Sequence, residues 1–580
     1  MRFLSASFLS LALGSPLGAQ APTGIHVDTA IAVPMRDGVV LRADIWRPDR
    51  EGAFPTLVYR TPYDRRDAAD DSGIAAQAVA RGYAVVLQDV RGRYASEGDF
   101  DAYRHEGDDG YDTIEWAAEQ PWSNGMIGTI GLSYPGAVQW LAAIAAPPHL
   151  RALVPAMTYA TPESFWYGGG VWDGSWLDWT WYNIAPDASR RLGRGAPGSD
   201  DTTFARLRAH RPLASLPDLQ GLTPWYYEWM RHPPRDPWWS WAVLEGHYQD
   251  VSAAVINLSG WFDEPYGPLG AATNYTRLVQ TGGQARTRLI LGPWTHGVSE
   301  IQRSVAGDRD FGSEAPIAYP NLVLDWMDRF LATASTASDF DPPVRVFMMG
   351  ENQWHWFSNW PPTGVRPDTL YLHGAGVPAI PGSLDRQAVS PGKPASRFRS
   401  DPAHPLTDPF KGRAGAHDYR ALVGRSDALV FETAPLEESM DIVGPVVAEL
   451  SASADVADFD LWMQLYDVSP DSTAWNLAGP GNGLLRASYR EGGPARNLPR
   501  RGKPVRLVLD RTITANRFLP GHKVRIVLSA SFTPYFSVNP QTGGQEFETR
   551  TTRVGTITIY HSSGQTSRLI LPLLPATATH

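Results

Sequence analysis

Apolar and polar positions along this chain follow two periods, and the switch between them divides it. From about residue 24 to 156, short apolar runs alternate with helical stretches. VVLRADIWRP (39–48) alternates like a half-exposed strand, and TLVYRTPYD (56–64) is a buried strand ending at Pro62. GIAAQAVARG (73–82) is a helix stopped by Gly82, and YAVVLQDVRG (83–92) is a second buried strand. DDGYDTIEWAAEQ (108–120) is an amphipathic helix whose first turn is acidic, which suits the helix dipole. Residues 125–146 give strand, tight turn and alanine-rich helix, and LRALVPAM (150–157) is strand-like again. Continuous apolar strands separated by helices predict a parallel sheet covered on both faces.

Between about 158 and 250 that alternation stops. The segment holds ten of the 22 tryptophans, among them Trp166, Trp172, Trp176 and Trp179, and prolines break it often. It reads as a helical insertion, or cap. Sheet signals resume with AAVINLSGWFD (253–263), a helix over 268–281, TRLILGPWTH (287–296) and a helix NLVLDWMDRFLA (321–332). After about 342 come short β-rich runs separated by Gly, Pro, Asn and Asp: VRVFMMG, TLYLHG, VVAELSASA, DLWMQLYDV, PVRLVLD, HKVRIVLSAS, TRVGTITIYH and SRLILPLL. They predict an antiparallel sandwich with jelly-roll order. The expected divisions are residues 22–157 and 251–338 for one α/β domain, 158–250 for the cap, and 342–580 for the sandwich.

Composition narrows the function. A chain of 580 residues with 43% hydrophobic and 19% charged residues buries a large core without staples. Its net charge of −10 argues against nucleic acid, and Arg500-Arg501-Gly502-Lys503 reads as a solvated turn. The first 21 residues, MRFLSASFLSLALGSPLGAQA, have a basic start, an apolar core from Phe3 to Leu13 and small residues near Ala19 and Ala21. That is the pattern of a secretory signal, so export to periplasm or medium is expected. No later stretch is apolar enough to span a bilayer, so the mature chain is expected to be soluble. Cysteine is absent, which removes disulfides, thiolate zinc sites and a thiol nucleophile. There is no His-x-x-x-His pair, and Asp455, Asp458 and Asp460 do not follow a calcium-loop pattern, so neither metal nor cofactor is expected.

The chemistry gathers around Gly131-Leu132-Ser133-Tyr134-Pro135-Gly136, where a serine caps a strand-to-helix turn. That is the layout of a nucleophile elbow, although Pro135 takes the place of the second glycine of G-x-S-x-G. A bare Gly/Ser turn is the plainer reading in a chain with 54 glycines. A serine nucleophile needs a base, and the base needs an orienting acid, in chain order Ser, Asp/Glu, His. Of fourteen histidines, those before residue 253 come too early, and His355 onward fall in the β-rich region. His296 remains, just after the strand Leu289–Leu291. Asp263, at the end of the strand Val255–Trp261, is the favoured acid over Glu264 and Asp250; either carboxylate at 263–264 also suits a helix cap. The oxyanion needs two donors. The Tyr134 N–H is one. For the other, the R-T-P-Y-D loop (60–64) has no glycine pair, and Tyr63 offers a phenol there, or simply a partly buried ring.

The stretches MRDGVVLRADIWRP, RTPYD, QDVRGRYASEGDF, GLSYPG, GWFD and GPWTH, in that order, resemble the cocaine esterase / X-Pro dipeptidyl-peptidase family of serine hydrolases. Glutaryl-cephalosporin acylases and α-amino-acid ester hydrolases are also members. The resemblance covers essentially the whole mature chain. It implies an α/β-hydrolase domain with an inserted helical cap and a C-terminal jelly roll. It also implies a catalytic triad of Ser133, Asp263 and His296, with the Tyr63 hydroxyl and Tyr134 N–H as oxyanion hole. Amino-acid ester hydrolases of the family resemble one another in a carboxylate cluster that binds the substrate ammonium, two of whose members follow the triad acid at the second and third positions. Here Pro265 and Tyr266 stand there, and Glu264, Asp173 and Asp178 are the remaining acids. An α-amino substrate is therefore not expected. The tryptophans of the cap, Trp166 among them, read equally as an aromatic acyl pocket or as cap core. The segment RGRYASEGDF (91–100) braces the site or forms a surface ion-pair network.

The reading is a serine esterase or acylase acting on a small ester or amide. A dipeptidyl-peptidase cutting after proline in short peptides is the alternative, and a secreted carbohydrate-binding protein with an inactive hydrolase domain is the second. The oligomeric state is left open.

Overall fold

A computed structural model describes residues 24–68, 73–332, 340–374, 378, 380–388, 394–479 and 481–575. The expected signal over residues 1–21 lies outside the described residues.

A ten-stranded sheet organises the catalytic half. Its spatial order is Ile25–Pro34, Val40–Pro48, Ala84–Asp89, Phe54–Thr61, Ser123–Leu132, Leu150–Ala156, Ala254–Gly260, Thr287–Gly292, Val344–Met348 and Gln353–Phe357. Pairing is parallel from Ala84–Asp89 through Val344–Met348 and antiparallel at both ends. Alternate side chains enter separate cores. Leu57 and Tyr59 face one with Val85 and Leu87, while Val58 and Val86 face the other. The helices Ile74–Ala80 and Tyr319–Leu331 supply Val79 and Trp326 to the first core. Glu106–Ala118 and Tyr134–Ile144 supply Ile114 and Trp140 to the second. Burial on both faces is why these strands read as unbroken apolar runs.

One run is placed differently from the expectation. VRVFMMG, expected in the C-terminal sandwich, forms Val344–Met348 of the catalytic sheet, with Leu289–Leu291 in parallel register to Val344–Val346. Gln353–Phe357 then returns antiparallel and closes that edge. The reason is burial: Val344, Val346, Phe347 and Met348 have no solvent exposure, as a strand packed on both faces requires. Periodicity marks a strand but does not name its partner.

Twelve further strands, from Arg366–His373 to Arg568–Leu574, join into a second sheet. Its pairing is antiparallel except where Gly382–Ser383 meets Phe431–Glu432. Met440–Ala454 is its hub, bonding Val505–Phe518, Gly555–Tyr560 and Arg568–Leu574 in turn. Bulges around Val446 let one strand serve these neighbours. Asp458 and Asp460 are buried and each holds an arginine, half-buried Arg496 and fully buried Arg486.

Between Leu150–Ala156 and Ala254–Gly260 the chain forms short helices, among them Pro162–Trp166, Ser175–Trp179, Ala185–Arg191, Asp201–Ala209 and Pro224–Arg231. Most of the tryptophans here are core: Trp166, Trp172, Trp229 and Trp239 are at most 1% exposed. No helix among the described residues is long and apolar enough to cross a membrane.

Candidate active site

Ser133 sits between the strand Ser123–Leu132 and the helix Tyr134–Ile144 with φ 69° and ψ −123°. A non-glycine residue in this region is strained by about 1–3 kcal/mol, and such strain collects at functional sites. Two glycines make the turn fit. A Cβ on Gly136 would lie 2.6 Å from the Ala156 carbonyl oxygen, and one on Gly131 would strike Pro135. Pro135 occupies an early helical position, where its missing N–H costs nothing. The Tyr134 N–H opens the helix and has no intrahelical acceptor. Its side chain is fixed elsewhere: the Tyr134 hydroxyl donates to Glu106 Oε1 at 2.7 Å and accepts from the Tyr103 N–H at 3.0 Å. Glu106 is paired in turn with buried Arg60 at 2.9 Å.

Asp263 and His296 follow the ends of neighbouring parallel strands, Ala254–Gly260 and Thr287–Gly292. His296 Nδ1 lies 2.5 Å from Asp263 Oδ1. The Asp263 carboxylate is fully buried and saturated with donors: Ser259 Oγ reaches Oδ2 at 2.5 Å, and the Glu264 N–H reaches Oδ1 at 2.7 Å. Gly267 packs against it so closely that any Cβ would collide with the carboxylate. Burial disfavours charge on His296, but the charge and hydrogen bond of Asp263 outweigh it and hold the imidazole above its ordinary 6.5. Of the other acids considered, Asp250 is exposed beside His247. Glu264 is half-buried next to the pair, and burial and the Asp263 charge raise its pKa.

Tyr63 is half-buried and reaches forward from its loop. Its hydroxyl oxygen accepts from Trp179 Nε1 at 2.9 Å, and its other side-chain partner is Ser133. Burial pushes the phenol up to about 12, against the pull of those two bonds, so it stays protonated at neutral pH. Ser133 and Tyr63 are thus in contact, as are Asp263 and His296, and each pair stands at the carboxyl ends of the parallel strands.

Trp166 is not part of this surface. It is fully buried, stacked on Trp239 at 4.3 Å between ring centroids, so a substrate contact there is corrected to cap core. Half-buried Trp179 takes the place by the site. Nothing in the sequence separates it from its tryptophan neighbours. Within RGRYASEGDF, the surface ion-pair reading fails at Arg93, which is 1% exposed and donates Nε to the Pro62 carbonyl at 2.8 Å. Arg91 is also buried, bonded to Asp109. Ser259 was also not legible in advance, although it stands four residues before Asp263 on the same strand end. Burial likewise raises Asp173, to about 7, with the Glu264 charge adding to it. Asp178 is held by Arg208.

Residues 37–298 match the X-Pro dipeptidyl-peptidase (S15 family) pattern, and residues 337–570 match the X-Pro dipeptidyl-peptidase C-terminal non-catalytic domain. A cocaine esterase from Rhodococcus sp. (strain MB1 Bresler) is 31% identical over 94% of this chain and 98% of its own length. A putative serine esterase of Mycobacterium tuberculosis (strain CDC 1551 / Oshkosh) is 26% identical over 93% of this chain and 94% of its own. Among solved structures, an α-amino acid ester hydrolase aligns with TM-score 0.83 and 26% identity, covering 98% of this chain and 100% of that one. An aminopeptidase from the marine sediment archaeon Thaumarchaeota archaeon shares the fold, with TM-score 0.82 at 23% identity and 99% and 100% coverage.

Proposed function

The chain belongs to the serine-hydrolase family that includes X-Pro dipeptidyl-peptidases (S15) and cocaine esterase, and from that premise we propose that it hydrolyses esters through an acyl-enzyme on Ser133. Ser133 Oγ bonds to the ester carbonyl carbon as its proton passes to His296 Nε2. Asp263 holds the ring through Nδ1 and stabilises the imidazolium. The carbonyl oxygen becomes an oxyanion that accepts from the Tyr63 hydroxyl and the Tyr134 N–H. Collapse breaks the bond to the alcohol, which leaves with the His296 proton. Water then attacks the acyl carbon, giving a proton to His296, and the acid departs as Ser133 regains its own. No step calls for a cofactor.

The observations that carry this reading are the 2.5 Å pairing of His296 with the buried Asp263 carboxylate and, at the end of another strand of the same parallel sheet, a serine held at positive φ against a phenol. The test is a fluorophosphonate probe followed by mass mapping. The wild type labels at Ser133; Ser133→Ala folds, takes no label and loses about a thousandfold or more in turnover of p-nitrophenyl esters. Labelling elsewhere moves the nucleophile, and no labelling at all favours a binding protein with an inactive hydrolase domain.

For the acyl side, the reading is an apolar or aromatic group. Tyr266 supports it: at a position where amino-acid ester hydrolases of the family carry a carboxylate, this chain has a buried ring packed edge-on to Phe165 at 4.8 Å. A dipeptidyl-peptidase is the second reading, favoured by the family match over residues 37–298. Turnover of an Ala-Pro anilide beside aryl esters separates the two. Export through the N-terminal signal and a jelly-roll path for the C-terminal strands belong to the same reading; sequencing the N-terminus of secreted protein tests the former.

A further inference from the structure

We infer that Trp179 is a positioning residue for the oxyanion hole: its indole N–H, donated to the Tyr63 oxygen, fixes the direction in which Tyr63 gives its own proton. The inference rests on the serine-hydrolase reading above and extends it to a residue of the cap.

The argument is one of hydrogen-bond polarity. An indole nitrogen only donates, whereas a phenol has one proton to give and lone pairs to receive. Trp179 Nε1 lies 2.9 Å from the Tyr63 oxygen, so that bond runs in one direction only. The phenolic proton has to point elsewhere, and the second partner of the Tyr63 hydroxyl is Ser133. The Ser133 interaction also holds the phenol's pKa down, as a donor to its oxygen does, so both resting bonds end on the Tyr63 oxygen and leave its proton for an acceptor in the site. When the acyl carbon is attacked, that phenolic proton is given to the new oxyanion. A donor bound to the far lone pair also polarises the O–H, as consecutive bonds in a low-dielectric site do.

The surroundings hold both ends still. The Trp179 ring stacks on Tyr134 at 6.0 Å with 9° between planes, and Trp176 and Trp225 meet it edge-on at 5.4 and 5.9 Å. Directly after Trp179 the chain makes a π-helical turn, Thr180–Ile184, a rare geometry that recurs at functional sites. That turn presents the Asn183 and Ile184 carbonyls to the buried Arg93 guanidinium, each at 3.0 Å. Arg93 Nε meanwhile holds the Pro62 carbonyl at 2.8 Å, next to Tyr63. One buried cation thus ties the loop bearing Tyr63 to the turn behind Trp179.

The test is a double-mutant cycle of W179F and Y63F, with kcat and KM for an aryl ester measured separately. W179F lowers kcat about tenfold and leaves KM within about twofold, while Y63F lowers kcat about a hundredfold, the order expected for one lost oxyanion donor. In the Y63F background, adding W179F changes kcat by less than about twofold, because its effect passes through the missing hydroxyl. Benzothienylalanine at position 179 keeps the ring and removes only the N–H. It reproduces W179F, and it carries the test should W179F fail to fold. The inference is overturned if the W179F penalty persists undiminished in Y63F, if the sulfur isostere retains wild-type kcat, or if Y63F is fully active. Failure of Ser133 to take the fluorophosphonate would instead overturn the underlying reading.

Discussion

Two opposing forces meet at His296. Burial pushes its imidazole toward neutrality, while the Asp263 carboxylate at 2.5 Å pulls it toward the cation, and the pull prevails. The folded pKa therefore stands above 6.5. On linkage grounds, the stability this group contributes is complete below the unfolded value and is lost as pH rises through the folded one. Catalysis needs the neutral ring, so kcat/KM on an aryl ester rises with pH along an acid limb centred above 6.5. Asp263→Asn removes both the charge and the oriented acceptor. It shifts that limb to lower pH and reduces kcat by about 10³- to 10⁴-fold. A limb unchanged by the substitution excludes Asp263 as the partner. These residues were legible in the sequence because each closes an apolar strand and they occur in a set chain order. Trp179 and Arg93 were not. One tryptophan in a Trp-rich cap looks like the next, and an arginine in a charged run looks solvated. Only the folded chain turns the first onto Tyr63 and seals the second behind Pro62.

At the scale of elements, the elbow works because strand and helix approach more closely than side chains ordinarily allow. Gly136 packs its bare Cα against the carbonyl of Ala156 on the next strand. Gly136→Ala puts a methyl into that contact and is expected to destabilise the fold by about 1–3 kcal/mol, read as a lower thermal midpoint, with activity falling as the helix is pushed off Ser133. An unaltered midpoint contradicts the close packing. The strands around this elbow were legible from their apolar runs, because burial on both faces leaves little room for polar residues. What the pattern left out was partnership. VRVFMMG has the composition of a strand in either sheet, and it goes to the catalytic one because the slot beside Thr287–Gly292 is buried on both faces. A pairing between residues far apart in sequence leaves no local trace.

At the scale of the molecule, the second sheet and the cap are joined beside a buried cluster of charged groups. Arg486 is 1% exposed and bonds Asp460 and Glu546, while its backbone N–H donates to the Gly169 carbonyl of the cap at 2.9 Å. Removing one member of such a cluster leaves the others charged and unpaired, a loss of about 3–5 kcal/mol. Arg486→Ala is therefore expected to lower the melting temperature strongly, while an exposed control, Arg425→Ala, leaves it nearly unchanged. Equal effects of the two would show that the cluster contributes no more than a surface pair.

The path of the chain through the catalytic sheet also limits how this protein can be divided. A fragment ending near residue 342 would leave the strand before His296 as an unprotected rim, open to pairing with other molecules. Extending the fragment past Phe357 restores the rim but still omits Gly479, whose N–H donates to the Trp261 carbonyl just ahead of Asp263. The C-terminal half, although it carries none of the reacting groups, is thus a brace for the acid, and exchanging it between relatives would disturb the Asp263–His296 pair from behind.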